Sequence, residues 1–558
     1  MKNNNQPTTD YLRLYGELKS ERASWLPVWK DLCAYLAPTR GFFDGQTPNQ
    51  GRRIDHKTLL DSDPCLAVEV LCAGMMSGLT SPSRSWFDLA LAPEELMELP
   101  GAREWVFEVK KHLEDVFAKS NVYSVLHGFY QEIAVFGTAA FLLEEDPEKG
   151  IRCRPFTIGE YVLGTDASGR VNRFGREFFM TAAQMQETFG AAALPPAVKR
   201  ECDENRQARW HKIIHLILPN RSADPDKADN KHMPYRSVYL TEDGKILRES
   251  GYREFPVIAA RWEVKNASDS YGRGPGWKCL GDVKMLQKMQ KTKLVALDKS
   301  TNPPMMVSSN VQGEVNLLPG GITRYNGTTD AAVKPAYQVQ PDLKSLEASI
   351  QSVRATIRSQ FFADVFLMLT AQNYSNMTAA EVAERHQEKM LVLGPVLERL
   401  KNELLDPLID RAFNLLSRQG LLPAAPQSIQ GLEMKVEYVS MIAQAQKAAG
   451  LASLVQGLNY AASLAAARPE VLDRVDYDRA LEEGLNTLGV APALLRSAED
   501  AQALRRSRLD AALAAGPGRP VTTPVRTPGR AEPPLPALKR REPSRKSKNK
   551  SCAAGASL

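Results

Sequence analysis

Little in this sequence favours export, membrane insertion or catalysis. The cysteines number only seven in 558 residues. Cys33, Cys65, Cys72, Cys153, Cys202, Cys279 and Cys552 lie far apart with no C-x-x-C, so no disulfide framework of the secreted kind is encoded and reduced thiols are expected. The N-terminal stretch MKNNNQPTTD has no apolar signal core, and the longest nearly apolar run, Ile133 to Leu143, is far shorter than the ~20 residues of a spanning helix. Neither G-x-S-x-G nor H-E-x-x-H occurs, and the pairs Glu94/Glu95 and Glu144/Glu145 sit in polar, turn-like settings where carboxylates are solvated. GRGPGWK has the glycines of a phosphate loop but not its pattern, since Cys279 stands where Ser or Thr is required. His211 and His215 in RWHKIIHLIL share one side of a strand, as structural neighbours and not as a metal pair.

The body also lacks the positive charge of a protein that grips nucleic acid. The whole chain carries +6, but the ten Lys or Arg and two Glu from Gly516 onward account for +8, which leaves −2 for residues 1–515. Each phosphate neutralised adds affinity through counterion release. Only local stretches of the body could act in that way. In the tail, eight prolines and the run KRREPSRKSKNK predict disorder. Such a tail serves equally as a nucleic-acid or packaging-partner contact and as a solubilising end.

What is present is a long, ordinary globular composition, 43% hydrophobic and 24% charged, enough for several hydrophobic cores. The pattern predicts a mixed α+β chain dominated by long helices. An amphipathic helix spans Tyr11 to Leu36 with an interruption at Pro27, and further helices cover Pro64–Leu79, Arg103–Lys119 and about Tyr123–Leu143. Between Ile151 and Val264, runs such as YVLGT, RSVYL and FPVIAARWEV predict strands, with a helical insert near Thr181–Arg206.

The stretch from Tyr271 to Gly420 is the most informative. Glycines and a proline open about twenty residues of unbroken helical texture, which NPPMMV ends because consecutive prolines cannot continue a helix. A strand-and-turn module follows over Met305–Val339. Helix resumes after Pro341, where Leu346, Ile350, Val353, Ile357 and Phe361 form an apolar seam, with Phe362, Val365 and Phe366 lying off it. A polar break, AQNYSNM, precedes a second long helix opened by a capping box, Thr378 with Glu381. At ~1.5 Å per residue that helix would be about 55 to 60 Å long, bending at Pro395 and Pro407. Ser440–Ala515 is again helical in texture.

The strings LCAGMMSGLTSPSRSWFDL, VFGTAAF, YGRGPGWKCLGDVKMLQKM, NPPMMV and TAAEVAERHQEKMLVLGPVLERLKNELLDPLI, in this order over about residues 10–420, resemble the head-to-tail connecting, or portal, proteins of short-tailed bacteriophages. The resemblance implies a portal fold without cofactor or enzymatic activity: a dodecameric ring at the virion's portal vertex, assembled in the host cytoplasm. Double-stranded DNA would pass its channel, and the terminase large subunit, tail adaptor proteins, and major capsid and scaffolding proteins would be its partners. The wing would be residues 1–270 and the first stem helix 271–300. The clip would be 301–340 and the second stem helix 341–370. A tunnel loop (371–377), a long wing helix (378–424), a crown-like helical region (425–515) and the basic tail (516–558) would complete the chain. A tail adaptor, or a DNA-processing enzyme of the packaging machinery, is the alternative.

The channel candidates follow from spacing within that frame. Lys284, Lys288 and Lys291 fall at i, i+4 and i+7 on one helix face, with Lys299 nearby in projection, and Arg354 and Arg358 lie one turn apart on the second helix. Two readings stand for the lysines, a solvated face or a weak, transient contact with DNA phosphates. The arginines carry the further reading that they pair with acidic neighbours. Gln372, Asn373, Tyr374, Ser375 and Asn376 are the tunnel-loop candidates, uncharged and able to brush a duplex without trapping it.

Overall fold

The structure is a computed structural model that describes residues 6–43, 59–91, 94–99, 101–227, 229–266, 268–307, 314–315, 333–335, 341–364, 366, 393–430, 434–437, 454–465, 468, 470, 474–487 and 498–514. It divides into two units, Met1–Ala493 and Leu494–Leu558. In the second, the described residues form one helix, Ala498–Ala514.

The first unit is mixed α+β. Helices α1 (Gln6–Ala23), α2 (Leu26–Leu36) and α3 (Asp63–Leu79) lead to strand β1 (Asp88–Leu91), then to α4 (Ala102–Lys119) and α5 (Val122–Phe136). Strands β2 (Thr138–Asp146), β3 (Gly150–Phe156), β4 (Tyr161–Thr165) and β5 (Val171–Thr181) follow. Helices α6 (Ala182–Phe189) and α7 (Pro196–Asp203) form the insert anticipated near Thr181. Next come β6 (Trp210–Pro219), β7 (Tyr235–Thr241), β8 (Ile246–Tyr252) and β9 (Val257–Arg261), then the long α8 (Pro275–Thr301). Beyond it lie β10 (Met305–Val307), β11 (Val333–Pro335), α9 (Leu343–Gln360), α10 (Gly394–Leu400), α11 (Asp406–Arg418) and β12 (Met434–Glu437). Residues 454–465 and Tyr477–Thr487 are helical.

Among the described residues there are four sheets, all antiparallel. Strands β4 to β8 form a five-stranded meander in sequence order, and β3-β2-β9 form a three-stranded sheet. Helix α1 covers one face of the meander, where Tyr15 and Leu18 pack with Val162, Leu216, Val238 and Leu240. The other face meets α6 and α7 through Met185, Val198, Ile213 and Tyr239. Here His215 lies fully buried and stacked on Tyr239 at 3.9 Å, and burial drives its ionisation well below the usual histidine range. His211 bonds to Glu201 at 2.6 Å. Both histidines are structural neighbours on their strand, as their spacing suggested.

Two boundaries depart from the sequence pattern for physical reasons. The helix expected to run to Leu143 stops at Phe136. Gly137 takes the left-handed conformation (φ 82°), and the apolar run continues as the buried strand β2. Helix α9 ends at Gln360, short of the expected residue 370. Phe361 and Phe362 turn there, Phe362 with φ 56°, before residues 363, 364 and 366 resume helix. Of the apolar residues off the α9 seam, Phe362 stacks on Trp262 and Phe366 is buried against Gly74 in the same core as the seam, so one chain accommodates both. A π-helical turn over Lys401–Leu405 precedes Pro407, which has no N–H to continue the α-helical ladder. Residues 378–392 of the expected long helix, with the expected capping box, lie outside the described residues.

Helix α5 anchors the connecting segment after α2 through a buried carboxylate. Glu132, 2% exposed, accepts hydrogen bonds from Thr157 Oγ1 (2.7 Å) and the Ile158 amide (3.0 Å), with Arg40 at 3.7 Å. Burial outweighs these partners and lifts its ionisation from the ordinary 4.5 to about 7. The folded state therefore holds this proton more tightly than the unfolded chain. Its stabilising contribution is complete below about pH 4.5 and is lost as pH rises through about 7. Glu132→Gln is expected to flatten this part of the stability-against-pH curve, removing a fall on the order of 3 kcal/mol in denaturant unfolding between those limits.

Candidate functional site: an antiparallel helix pair and its lysine face

The two helices singled out by the sequence, α8 and α9, pack antiparallel. Gln360 Nε2 donates to Asp282 at one end of the pair (2.9 Å), and Lys293 pairs with Glu347 towards the other. The start of α8 shows what its glycines are for. A Cβ on Gly272 would lie 2.4 Å from Gly137 O, one on Gly274 2.6 Å from Ile133 O and one on Gly276 2.4 Å from Val135 O. The YGRGPGW segment thus lies flush on the C-terminal carbonyls of α5, and Trp277 Nε1 donates to Phe136 O at 2.9 Å. Carbonyl oxygens fill the place that a phosphate would need.

Along α8 the buried residues Gly276, Cys279, Val283 and Leu286 recur every three or four positions, Cys279, Val283 and Leu286 in the main core, and Gln287 is buried beside them. From Lys291 to Thr301 no residue is buried. Over that stretch Leu294 is 53% and Leu297 36% exposed, an apolar surface without cover in a single chain. On α9, Ile350, Ile357 and Phe361 of the predicted seam are fully buried, with Leu346 and Val353 packed beside them.

The sequence did not reveal what holds the pair. Asp61, just before α3, is 5% exposed and bonds to both helices at once. Its Oδ2 accepts from Gln290 Nε2 (2.7 Å) and from Arg354 Nη2 (2.9 Å) and Nε (3.1 Å). Gln287 completes the clasp on the backbone: its Oε1 accepts the Leu60 and Asp61 amides (2.7 and 2.8 Å), and its Nε2 donates to Asp61 O (2.7 Å). One turn along α9, Arg358 is paired with Asp63, the first residue of α3. The acidic neighbours foreseen for the two arginines are these two aspartates.

The lysines divide. Lys284 reaches Asp31 of α2 at 2.6 Å and lies 5.9 Å from the Tyr35 ring, and Lys278 pairs with Glu263 at 2.9 Å. Lys288, Lys291 and Lys299 are exposed and make no ion pair among the described residues. The candidate loop residues Gln372, Asn373, Tyr374, Ser375 and Asn376 lie outside the described residues. Of the expected clip, the described part is mainly the antiparallel pairing of β10 with β11, Met305 opposite Pro335. No group of three or more His, Cys, Asp or Glu able to hold a metal ion occurs among the described residues. No described helix is long and apolar enough to cross a membrane.

Breaking a buried ion pair from one side strands a charge and costs about 3 to 5 kcal/mol, whereas an exposed pair contributes up to about 1. Asp61→Ala should therefore lower hydrogen-exchange protection in α8 and α9 by roughly 3 kcal/mol or more, and Asp31→Ala by less than about 1.

A model of the bacteriophage head to tail connecting protein family matches residues 8–495, which carries the likeness beyond the 10–420 of the matching strings. Over 504 residues the chain is 39% identical to a protein of Bordetella phage BPP-1 described as a probable portal protein, covering 89% of this chain and 90% of that one. It is 40% identical over 510 residues to the portal protein of Salmonella phage epsilon15, with 90% and 91% covered.

Proposed function

The chain belongs to the bacteriophage head to tail connecting family, the portal proteins, which are structural proteins and not enzymes, and from this membership we propose how it works. Identical copies close into a dodecameric ring at one capsid vertex, and the ring conducts double-stranded DNA inward during packaging and outward during ejection. The terminase large subunit and later the tail adaptor proteins dock on it, and major capsid and scaffolding proteins surround it. Helices α8 and α9 are its stem, residues 301–340 its clip and residues 371–377 its tunnel loop. Residues 1–270 with 378–424 form the wing, and 425–515 a crown-like region.

The observation that carries the channel reading is the lysine face of α8, where Lys288, Lys291 and Lys299 have no ion pair among the described residues, on a helix pair whose arginines are both held by carboxylates. Lys288, Lys291 and Lys299 would be repeated around the bore by ring symmetry. Lysine is a compact, strongly hydrated charge without the planar fork that arginine offers to phosphate, and it suits a wall along which DNA must slide. The net charge of −2 over residues 1–515 suits passage in the same way.

A cyclic ring needs two unlike surfaces on each copy. The helix pair has them. Leu294 and Leu297 of α8 are apolar and exposed, while the free side of α9 presents Ser345, Ala348, Ser352, Ala355, Thr356 and Ser359, all small and uncharged. Small side chains let a neighbouring helix approach closely.

Electron microscopy of the purified full chain tests the proposal. Closed rings of twelve copies, with an opening wide enough for a duplex and helix pairs lining it, are expected. A monomer at every concentration tried, or an assembly without a central opening, would contradict it.

A further inference from the structure

The cations of the helix pair sort by type. Both of its arginines, Arg354 and Arg358, are held by aspartates from the segment that opens α3, whereas the cations without a carboxylate among the described residues are all lysines: Lys288, Lys291, Lys299 and Lys344. The Arg354 pair is better built than a surface contact, and the more exposed Arg358 pair shares its two-nitrogen geometry. Asp61 takes Arg354 through Nε and Nη2 on a side chain only 2% exposed, and Asp63, 9% exposed, takes Arg358 through the same two nitrogens.

We infer that Asp61 and Asp63 tune the strength of DNA contact, by occupying the two arginines of the stem and leaving lysines as the free charge of the channel wall. The inference rests on the portal reading above. A guanidinium presents a rigid fork that matches phosphate oxygens two at a time, so a free arginine grips a backbone more firmly than a lysine does. Repeated around a ring, two such forks per copy would turn a sliding contact into a holding one. Each aspartate occupies both nitrogens of a fork that a phosphate would use, and Gln287 and Gln290 keep Asp61 in place for that purpose. In this role the aspartates are positioning residues for the arginines and do not themselves touch DNA.

The test compares single and paired neutral variants of the full-length ring, using a linear duplex and measuring retention between 50 and 200 mM salt. Asp61→Asn and Asp63→Asn each free an arginine while keeping the shape of the side chain. The fold-loss of affinity across that range should be multiplied by a further factor of roughly 3 to 4 for every additional phosphate engaged per ring. The paired variants Asp61→Asn with Arg354→Gln, and Asp63→Asn with Arg358→Gln, should return to the wild-type salt dependence. A clasp that only supports the fold would lower thermal stability in single and paired variants alike and leave the salt dependence unmoved. That result overturns the inference, as does a paired variant with weaker salt dependence than wild type, because the arginines would then already touch DNA. A Lys288→Gln/Lys291→Gln ring separates this outcome from a failure of the portal reading. If it too shows unchanged salt dependence, the lysine face is not the channel wall, whatever the aspartates do.

Discussion

One buried carboxylate sets the arrangement of the helix pair. Asp61 lies where α3, α8 and α9 meet, and its side chain and backbone together engage Gln287, Gln290 and Arg354. A carboxylate this buried is tolerated only when its lone pairs are filled, and the fixed partners in turn define how α8 and α9 sit against each other. Apolar packing of Val283, Leu286, Ile350 and Ile357 supplies the bulk of the attraction between these helices and the core. Packing alone tolerates small slips along the helix axes, whereas hydrogen bonds to one oxygen atom do not.

That constraint has an electrostatic consequence. Charges on one helix face act together only if the face is held steady, and Lys288, Lys291 and Lys299 share the helix that Gln287 and Gln290 pin. The paired cations, Lys278, Lys284, Lys293, Arg354 and Arg358, all meet carboxylates from other segments. The result is a graded surface, neutralised where the helices meet the body and cationic along one stripe. Duplex DNA calls for such a surface if it is to move, since affinity grows with every phosphate neutralised at the same time.

Much of this was legible in the sequence, and the remainder was not for identifiable reasons. Helix α8, expected over 271–300, ends within one residue of that bound and begins four residues later, at Pro275, because Pro275 at its first turn and the prolines after Asn302 are local signals that do not depend on tertiary context. The seam of α9 was equally clear from its spacing. The run Ile133–Leu143 hid a change from helix to strand, because both halves are buried on all sides and carry no polar face to mark a period, so Gly137 was the single cue. Asp61 and Asp63 were missed altogether. They lie in a turn-like segment 226 or more residues from the side chains they hold, and no spacing rule connects them. Arg354 and Arg358 one turn apart left pairing with acidic neighbours as one of two readings, without saying where such neighbours lie.

The central claim is that one face of α8 looks onto DNA, and position-specific photo-crosslinking in filled particles tests it most directly. A photoreactive side chain at position 291 should attach to the packaged duplex, and the same group at position 293, on the side of the helix where Lys293 meets Glu347, should not. Equal attachment at both positions, or attachment at 293 alone, would contradict the account.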